Sequence, residues 1–421
     1  MRALPNDPPV NRVFTLPASF NPAELLPSAL HRYQDDARYL ASTIIRKTAR
    51  GQADAGGYVP LKAEYLRNII SERRGRDVIQ SLLAEKAIHR TPYQVGRRSF
   101  AYRLDDRYRT DPHIRRPVES KRLIRNLDKH AASCARDAAA RMKPVHHTLA
   151  RLQQDLEIDG AASEAILTTL PVESNPYDVQ GVLVRDIIDR RFRLSVGNYG
   201  RVANSVTSMK REIRAALRCA GQPLSGVDIA CAQPSFLAWM MTENVTSYNA
   251  VPRVVSAPAV PAALFAACCF SGELYGLLGL RLRDSGVDWT REQIKKRFLT
   301  DVLAKRKASS AGAEYWSPIE DIFRAEFPEV WGFIRDVNRH GFEHARLIRM
   351  LQQIEAWIVI EQVCGTFVQQ YPGTFCITIH DAVYVQPDML GALVSVFDAV
   401  FERLNFRPML MVEPEQSGLV D

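Results

Sequence analysis

The chain has no long unbroken apolar run. Val251 to Phe270 comes nearest, but Pro252, Pro258 and Pro261 break it and Arg253 interrupts it. A membrane span is therefore not expected there, and a buried or loop-rich segment is. The opening, Met1 to Phe20, is polar and proline-containing and has no apolar signal core. Cysteine is sparse and scattered: seven residues, at 134, 219, 231, 268, 269, 364 and 376, with no CxxC among them. An odd count at wide spacing points to neither a zinc ribbon nor a disulfide framework. It suits a reducing compartment, and a cytoplasmic location is the expectation. Hydrophobic content of 46% and charged content of 24% set the chain apart from disordered and fibrous classes.

What is present is size and uneven charge. The 421 residues are enough for two or three domains. The formal charge of +8 is compatible with a phosphate-backbone partner. From Lys62 to Lys129 there are 18 Lys or Arg against 9 Asp or Glu, whereas from Tyr371 to the end there are 2 against 7. The basic half is the better candidate for nucleic-acid contact.

Residues 1–30 read as a poorly structured lead. In and just before 31–110, Ser28 to Arg50, Leu61 to Glu72 and Arg76 to Lys86 read as helices. Ile88-His89-Arg90 and Phe100 to Leu104 read as strands on either side of a basic loop, Gln94 to Ser99. Helix, helix, strand, loop, strand is the outline of a winged helix. Arg97 and Arg98 in the wing, with Arg103 on the next strand, would meet phosphates. The alternative is a helical subdomain whose charges face water. Residues 111–170 read as a basic linker followed by alanine-rich, thumb-like helix, Ala131 to Leu156.

The chemistry concentrates in 171–421. Phe375 to Val385 is two β-branched and aromatic runs around His380-Asp381, which predicts a hairpin with the Asp carboxylate at its turn. Gly226 to Pro234 carries a lone Asp228 in another apolar run. Two carboxylates on neighbouring strands can hold two Mg²⁺ or Mn²⁺ ions around a phosphate; the bland alternative is a turn cap and a strand end. Thr207 to Cys219 reads as a helix with Arg211, Arg214 and Arg218 on one face. A helix starting at Asp288 or Thr290 puts Arg291 and Lys295 four apart, a pairing able to grip a triphosphate. Phe342 to Val363 reads as a long helix with an apolar face at Leu347, Leu351, Ile354 and Ile358; Gln352, Gln353 and Glu355 lie inside it.

In this order the motifs resemble family A DNA polymerases and their single-subunit RNA polymerase relatives, over about residues 190–390. Gly200-Arg201 and the basic segment with Arg211 and Arg214 look like the stretch before the first catalytic motif. Val227-Asp228-Ile229 looks like that motif, Arg291 and Lys295 like the start of the fingers helix, and Ile379-His380-Asp381 like the last motif. The resemblance implies metal binding by Asp228 and Asp381, and primer contact by His380. It also implies minor-groove contact by Gln352 or Gln353, and nucleotide contact by Gln233 and Phe298. Three departures stand out. Ala382 replaces the Glu of His-Asp-Glu. Gln233 occupies the offset of a Glu that helps exclude ribonucleotides. Leu299 and Leu303 stand where an aromatic and a Tyr-Gly pair are usual. No acidic triad of a proofreading exonuclease precedes residue 190. The chain also resembles compact polymerase-like proteins of phages and mobile elements.

The expected fold is thus α+β, a right-hand-like core of palm and fingers behind a largely helical, winged-helix-like amino-terminal region. The expected function is a DNA polymerase acting on primer-template and nucleoside triphosphates, with Mg²⁺ or Mn²⁺ as cofactor and no membrane partner. The alternatives are a primase or single-subunit-type RNA polymerase, and a non-catalytic DNA-binding replication or regulatory protein on a degenerate polymerase fold.

Overall fold

The computed structural model describes residues 13–92, 99–242, 262–305, 316–338 and 346–413. Among them five small antiparallel sheets are set between helices, a mixed α+β architecture. The sheet that positions the site has four strands, in the order Ile377–Ile379, Ala382–Val385, Ser225–Ile229, Leu410–Glu413. Its register sets Val227 opposite Val383 on one side and Val412 on the other. Side chains on a strand alternate between faces. Val227, Ile229, Val383 and Val385 face a helical core with Phe236, Trp239, Phe397 and Phe406. Ile377, Ile379, Ala382 and Tyr384 enter a second core with Phe14, Leu40, Ile44, Val182 and Leu183. The sheet is a partition between two cores, and alternation puts Gly226 and Asp228 on the second face.

The amino-terminal half runs helix Gln34–Ala49, strand Val59–Pro60, helices Ala63–Ile69 and Gly75–Ala84, then strands Ile88–Arg90 and Ala101–Leu104. The last strand lies between the other two, antiparallel to both. Residues 93–98, with Arg97 and Arg98, lie outside the described residues.

Three segments differ from the sequence reading. Val13–Pro17 is a strand paired with His113–Pro117, inside the stretch read as a poorly structured lead. Burial of Phe14, Leu16 and Phe20 holds it there. The alanine-rich region is not one helix: Lys121–Ala139 ends, and Pro144 takes the first position of Pro144–Leu152. Thr207 to Cys219 is helical only over Arg211–Arg214. Leu217–Cys219 is a strand paired with Leu156–Ile158, so Arg218 does not share a helical face with Arg211 and Arg214. Tertiary pairing of Leu217 and Cys219, both buried, overrides local helix propensity here.

Among the described residues no single helix is long and apolar enough to cross a membrane. Ala263–Phe270 and Leu274–Asp284 pass that test only together, and they meet at 108°. Their residues Phe265, Cys269, Leu274, Leu278 and Leu282 are buried in the helical core.

Candidate functional site

The site begins with a glycine. A Cβ on Gly226 would lie 2.5 Å from Cε1 of Tyr384, so only glycine lets the Tyr384 ring lie across the Ser225–Ile229 strand. Two residues on, Asp228 projects from the same face and accepts a hydrogen bond from the Ile229 backbone N–H at 2.8 Å. Continuing the strand register sets Asp228 beside Ala382. A longer side chain at 382 would have to share the space where Asp228 stands, and Ala382 is buried.

On the neighbouring hairpin Ile379 and Ala382 form the last pair, leaving His380 and Asp381 as a two-residue turn. His380 sits at φ +58°, a left-handed conformation that histidine visits more readily than branched residues do. Burial and the nearby charge of Asp381 push the Asp228 carboxyl well above its usual range, while Lys295 pulls it back. The His380 imidazole is held low, first by burial and then by Arg201, with Arg214 and Lys295 adding to the effect; its neutral form is favoured.

Lys295 is carried by Arg291–Arg297, whose start is fixed by a reciprocal cap between Thr290 and Gln293. Arg291, one turn earlier, lies over the Tyr275 ring at 5.8 Å and donates to the Gly272 carbonyl at 3.4 Å. Both cations act on Cys231, three residues past Asp228.

The third part was not singled out by sequence. Glu355 is buried at the end of Arg346–Glu355. Arg201 donates to its Oε1 through Nε and Nη2, each at 2.7 Å, and the Gln233 amide donates to Oε2. Both carboxylate oxygens are thus engaged, yet burial, reinforced by Asp381, raises Glu355 to about 7. Gln233 Oε1 is buried without a partner among the described residues. A narrow cleft between Arg201, Val202, Glu355, Ala356, Ile360 and His380 opens beside this network.

One locus therefore gathers Asp228, Asp381, His380, Lys295, Arg201 and Gln233, to which Glu355 is added. Arg214 reaches the same neighbourhood through His380 and Tyr384. Arg211 points outward and pairs with Glu413 at 3.0 Å, and Glu413 also accepts from the Tyr384 hydroxyl. Phe298 is fully buried, edge-on to Tyr275 and Phe323, and offers no face to a nucleotide. Gln352 and Gln353 are half-buried on Arg346–Glu355, with no contact to the aspartates among the described residues. Arg103 pairs with Asp106 at 2.8 Å and lies over the Tyr58 ring. The amino-terminal module has instead an open groove of about 630 Å³ whose lining includes Arg67, Arg73, Arg76, Arg90 and Phe100, with Arg90 stacked on Phe100 at 4.3 Å.

Among the described residues no three His, Cys, Asp or Glu side chains come together as a metal-holding group. The donor set at the locus is two mutually repelling carboxylates, Asp228 and Asp381. Hard oxygen pairs of this kind fit Mg²⁺, which usually takes one or two protein carboxylates and completes its shell with water and substrate phosphate. No protein-family model matches the chain, and no curated protein matches it.

Proposed function

We propose that the chain is a template-directed nucleotidyltransferase, a DNA polymerase in first place, with Asp228 and Asp381 at the centre of its palm and residues 270–345 as its fingers. The observation that carries this reading is a carboxylate on the Ser225–Ile229 strand, Asp228, close to the carboxylate at the turn of the neighbouring hairpin, Asp381, beside a lysine delivered by a capped helix. Asp228 and Asp381 would hold divalent metal ions, which supply charge neutralisation at the attacking 3′-oxygen and the leaving pyrophosphate.

The remaining roles belong to the chain's own groups. Lys295 and Arg291 neutralise the triphosphate, Lys as a point charge and Arg as a planar fork. Neutral His380, at the hairpin turn, offers a hydrogen bond to the primer end. Glu355 and Arg201 fix the Gln233 amide beneath the sugar. The helix and strand order of residues 34–104, with its arginine-lined groove, supports a winged-helix-like module that holds nucleic acid.

A second reading, ribonucleotide synthesis by a primase or RNA polymerase, is favoured by one feature. Gln233 Oε1 is an acceptor without a donor among the described residues, and a ribose 2′-hydroxyl is a donor. Primer extension with dNTPs and with rNTPs, with and without a supplied primer, separates the two. Asp381→Asn is expected to abolish incorporation in every arm, and wild-type activity in that variant would remove the assignment.

A further inference from the structure

The most one-sided charge cluster outside this locus sits where the helix Gln34–Ala49 ends. Arg46 and Lys47 lie in its last turn, and Arg50 caps it. Arg191 and Arg193 come from the segment after the helix Val179–Ile188, and the Arg193 N–H donates to Ser205 Oγ at 3.0 Å. One carboxylate, Asp186, stands among them. It takes Arg46 at 3.6 Å and Arg191 at 3.8 Å, and its charge is also felt by Arg50 and Arg193. Asp189 is occupied by Arg191 at 3.0 Å and by Arg115 at 3.3 Å. Lys47 donates to Gln52 at 3.0 Å and lies over the Tyr65 ring.

Arg50 and Arg193 are left over. Both are partly buried, and neither guanidinium has a hydrogen-bond acceptor or ion-pair contact among the described residues. Burial lowers both groups, Arg193 to about 10. A guanidinium stripped of water without an acceptor is costly. Two of them, near enough to feel the same carboxylate that Arg46 and Arg191 already occupy, are arranged for an anion that arrives from outside. Their planar forks match the oxygens of a phosphate better than a point charge would. Arg193 also stands at the root of the hairpin Leu194–Val196 and Val202–Asn204, whose turn carries Arg201. At ~3.3 Å per strand residue, that turn is about 13 Å away.

We infer that Arg50 and Arg193, flanked by Arg46 and Lys47, form a phosphate-binding site, filled by the backbone of a nucleic-acid strand or by the phosphate tail of a free nucleotide. The inference does not rest on the nucleotidyl-transfer reading, since it needs neither Asp228 nor Asp381.

The test titrates the full chain with a labelled single-stranded oligodeoxynucleotide, with ATP and with inorganic phosphate. The variants are Arg50→Gln, Arg193→Gln and the charge-preserving Arg193→Lys. A strand ligand predicts about tenfold weaker oligonucleotide binding in each Gln variant, with ATP unaffected. It also predicts a log–log salt slope shallower by about 0.7 per lost contact. A free-nucleotide ligand predicts the converse, loss for ATP with the oligonucleotide unaffected. In either case the thermal midpoint of the Gln variants stays level or rises, because an uncompensated cation has gone, and Arg193→Lys falls between. Wild-type affinity for all three ligands in both Gln variants overturns the site. So does a lowered midpoint in the Gln variants with full affinity in Arg193→Lys, which would mark a structural role. This titration measures binding and needs no incorporation, whereas the primer-extension comparison above measures incorporation, so failure of one proposal is told from failure of the other.

Discussion

Gln233 donates its side-chain amide to Glu355, 122 residues further along the chain. The position five residues after Asp228 therefore presents an amide, and the carboxylate behind it comes from a different helix. Arg201 grips the other carboxylate oxygen. In its ionised form Glu355 only accepts, so the amide nitrogen then faces it and Oε1 faces away.

This network sets an order of stabilities. Arg201→Ala leaves Glu355 buried with one neutral donor, and is expected to cost about 3 kcal/mol. Glu355→Gln removes the charge at nearly constant shape, and is expected to cost about 1 kcal/mol. Combining Arg201→Ala with Glu355→Gln is expected to recover part of the loss, because no unpaired carboxylate then remains. Denaturant unfolding of the three variants checks this; strictly additive effects would dissolve the coupling.

Asp228 makes stability depend on pH. Its carboxyl titrates near 3.8 when free and near 7 in the fold, with burial as the first cause and Asp381 the second. A carboxyl raised on folding stabilises fully below the free value, and that contribution is lost as pH rises through the folded value. In metal-free buffer, wild type is expected to lose on the order of 2 kcal/mol relative to Asp228→Asn between about pH 5 and about pH 8. Adding Mg²⁺ at the higher pH is expected to raise the melting temperature of wild type and not that of the variant. Parallel pH curves for the two proteins would contradict the coupling of the aspartates.

A buried ion pair in the helical half gives a test free of any functional reading. Lys305 and Glu320 are paired and almost wholly buried, with Lys305 Nζ 3.8 Å from the Trp316 ring centre and the Trp331 indole donating to Glu320. Lys305→Met is expected to cost about 3–5 kcal/mol, because it strands Glu320 in the core. Pairing it with Glu320→Leu is expected to restore most of that, as read by chemical denaturation.

Gly226→Ala is expected to destabilise by about 2 kcal/mol, since the added carbon meets the Tyr384 ring. Tyr384→Ala in the same chain is expected to remove that clash, leaving only its own cavity cost. If the single Ala variant unfolds with wild type, the ring does not lie where the strand register puts it.

Much of this locus was legible in the sequence because its elements are locally encoded. His380-Asp381 between two β-branched and aromatic runs predicts a hairpin with the Asp at its turn, and Asp288 or Thr290 predicts a helix start. Glu355 was read only as a neighbour of Gln352 and Gln353. The available signal was its position four residues after Leu351, on the border of an apolar stripe where a charge needs a partner. That partner, Arg201, is 154 residues away, and no local pattern points to it. Leu410–Glu413 was missed for a similar reason: a short strand near the end is defined only by pairing with Ser225–Ile229. Phe298, which the resemblance sets near the nucleotide, is buried, because adjacency to a motif position along a helix says nothing about which face looks inward. Leu217–Cys219 reads as helix locally because its β partner lies at Leu156–Ile158, far from the local window.

The partition sheet has a consequence for synthesis. Leu40 and Ile44 leave the ribosome long before Ile377 to Tyr384, which belong to the same core. At ~5–20 residues per second the interval is roughly 20–70 seconds. Throughout it the amino-terminal half carries bare apolar surface, and contacts of such long sequence separation close slowly. The nascent chain is thus expected to engage holding chaperones, and the yield of active protein to respond to the rate of translation as well as to the stability of the finished fold.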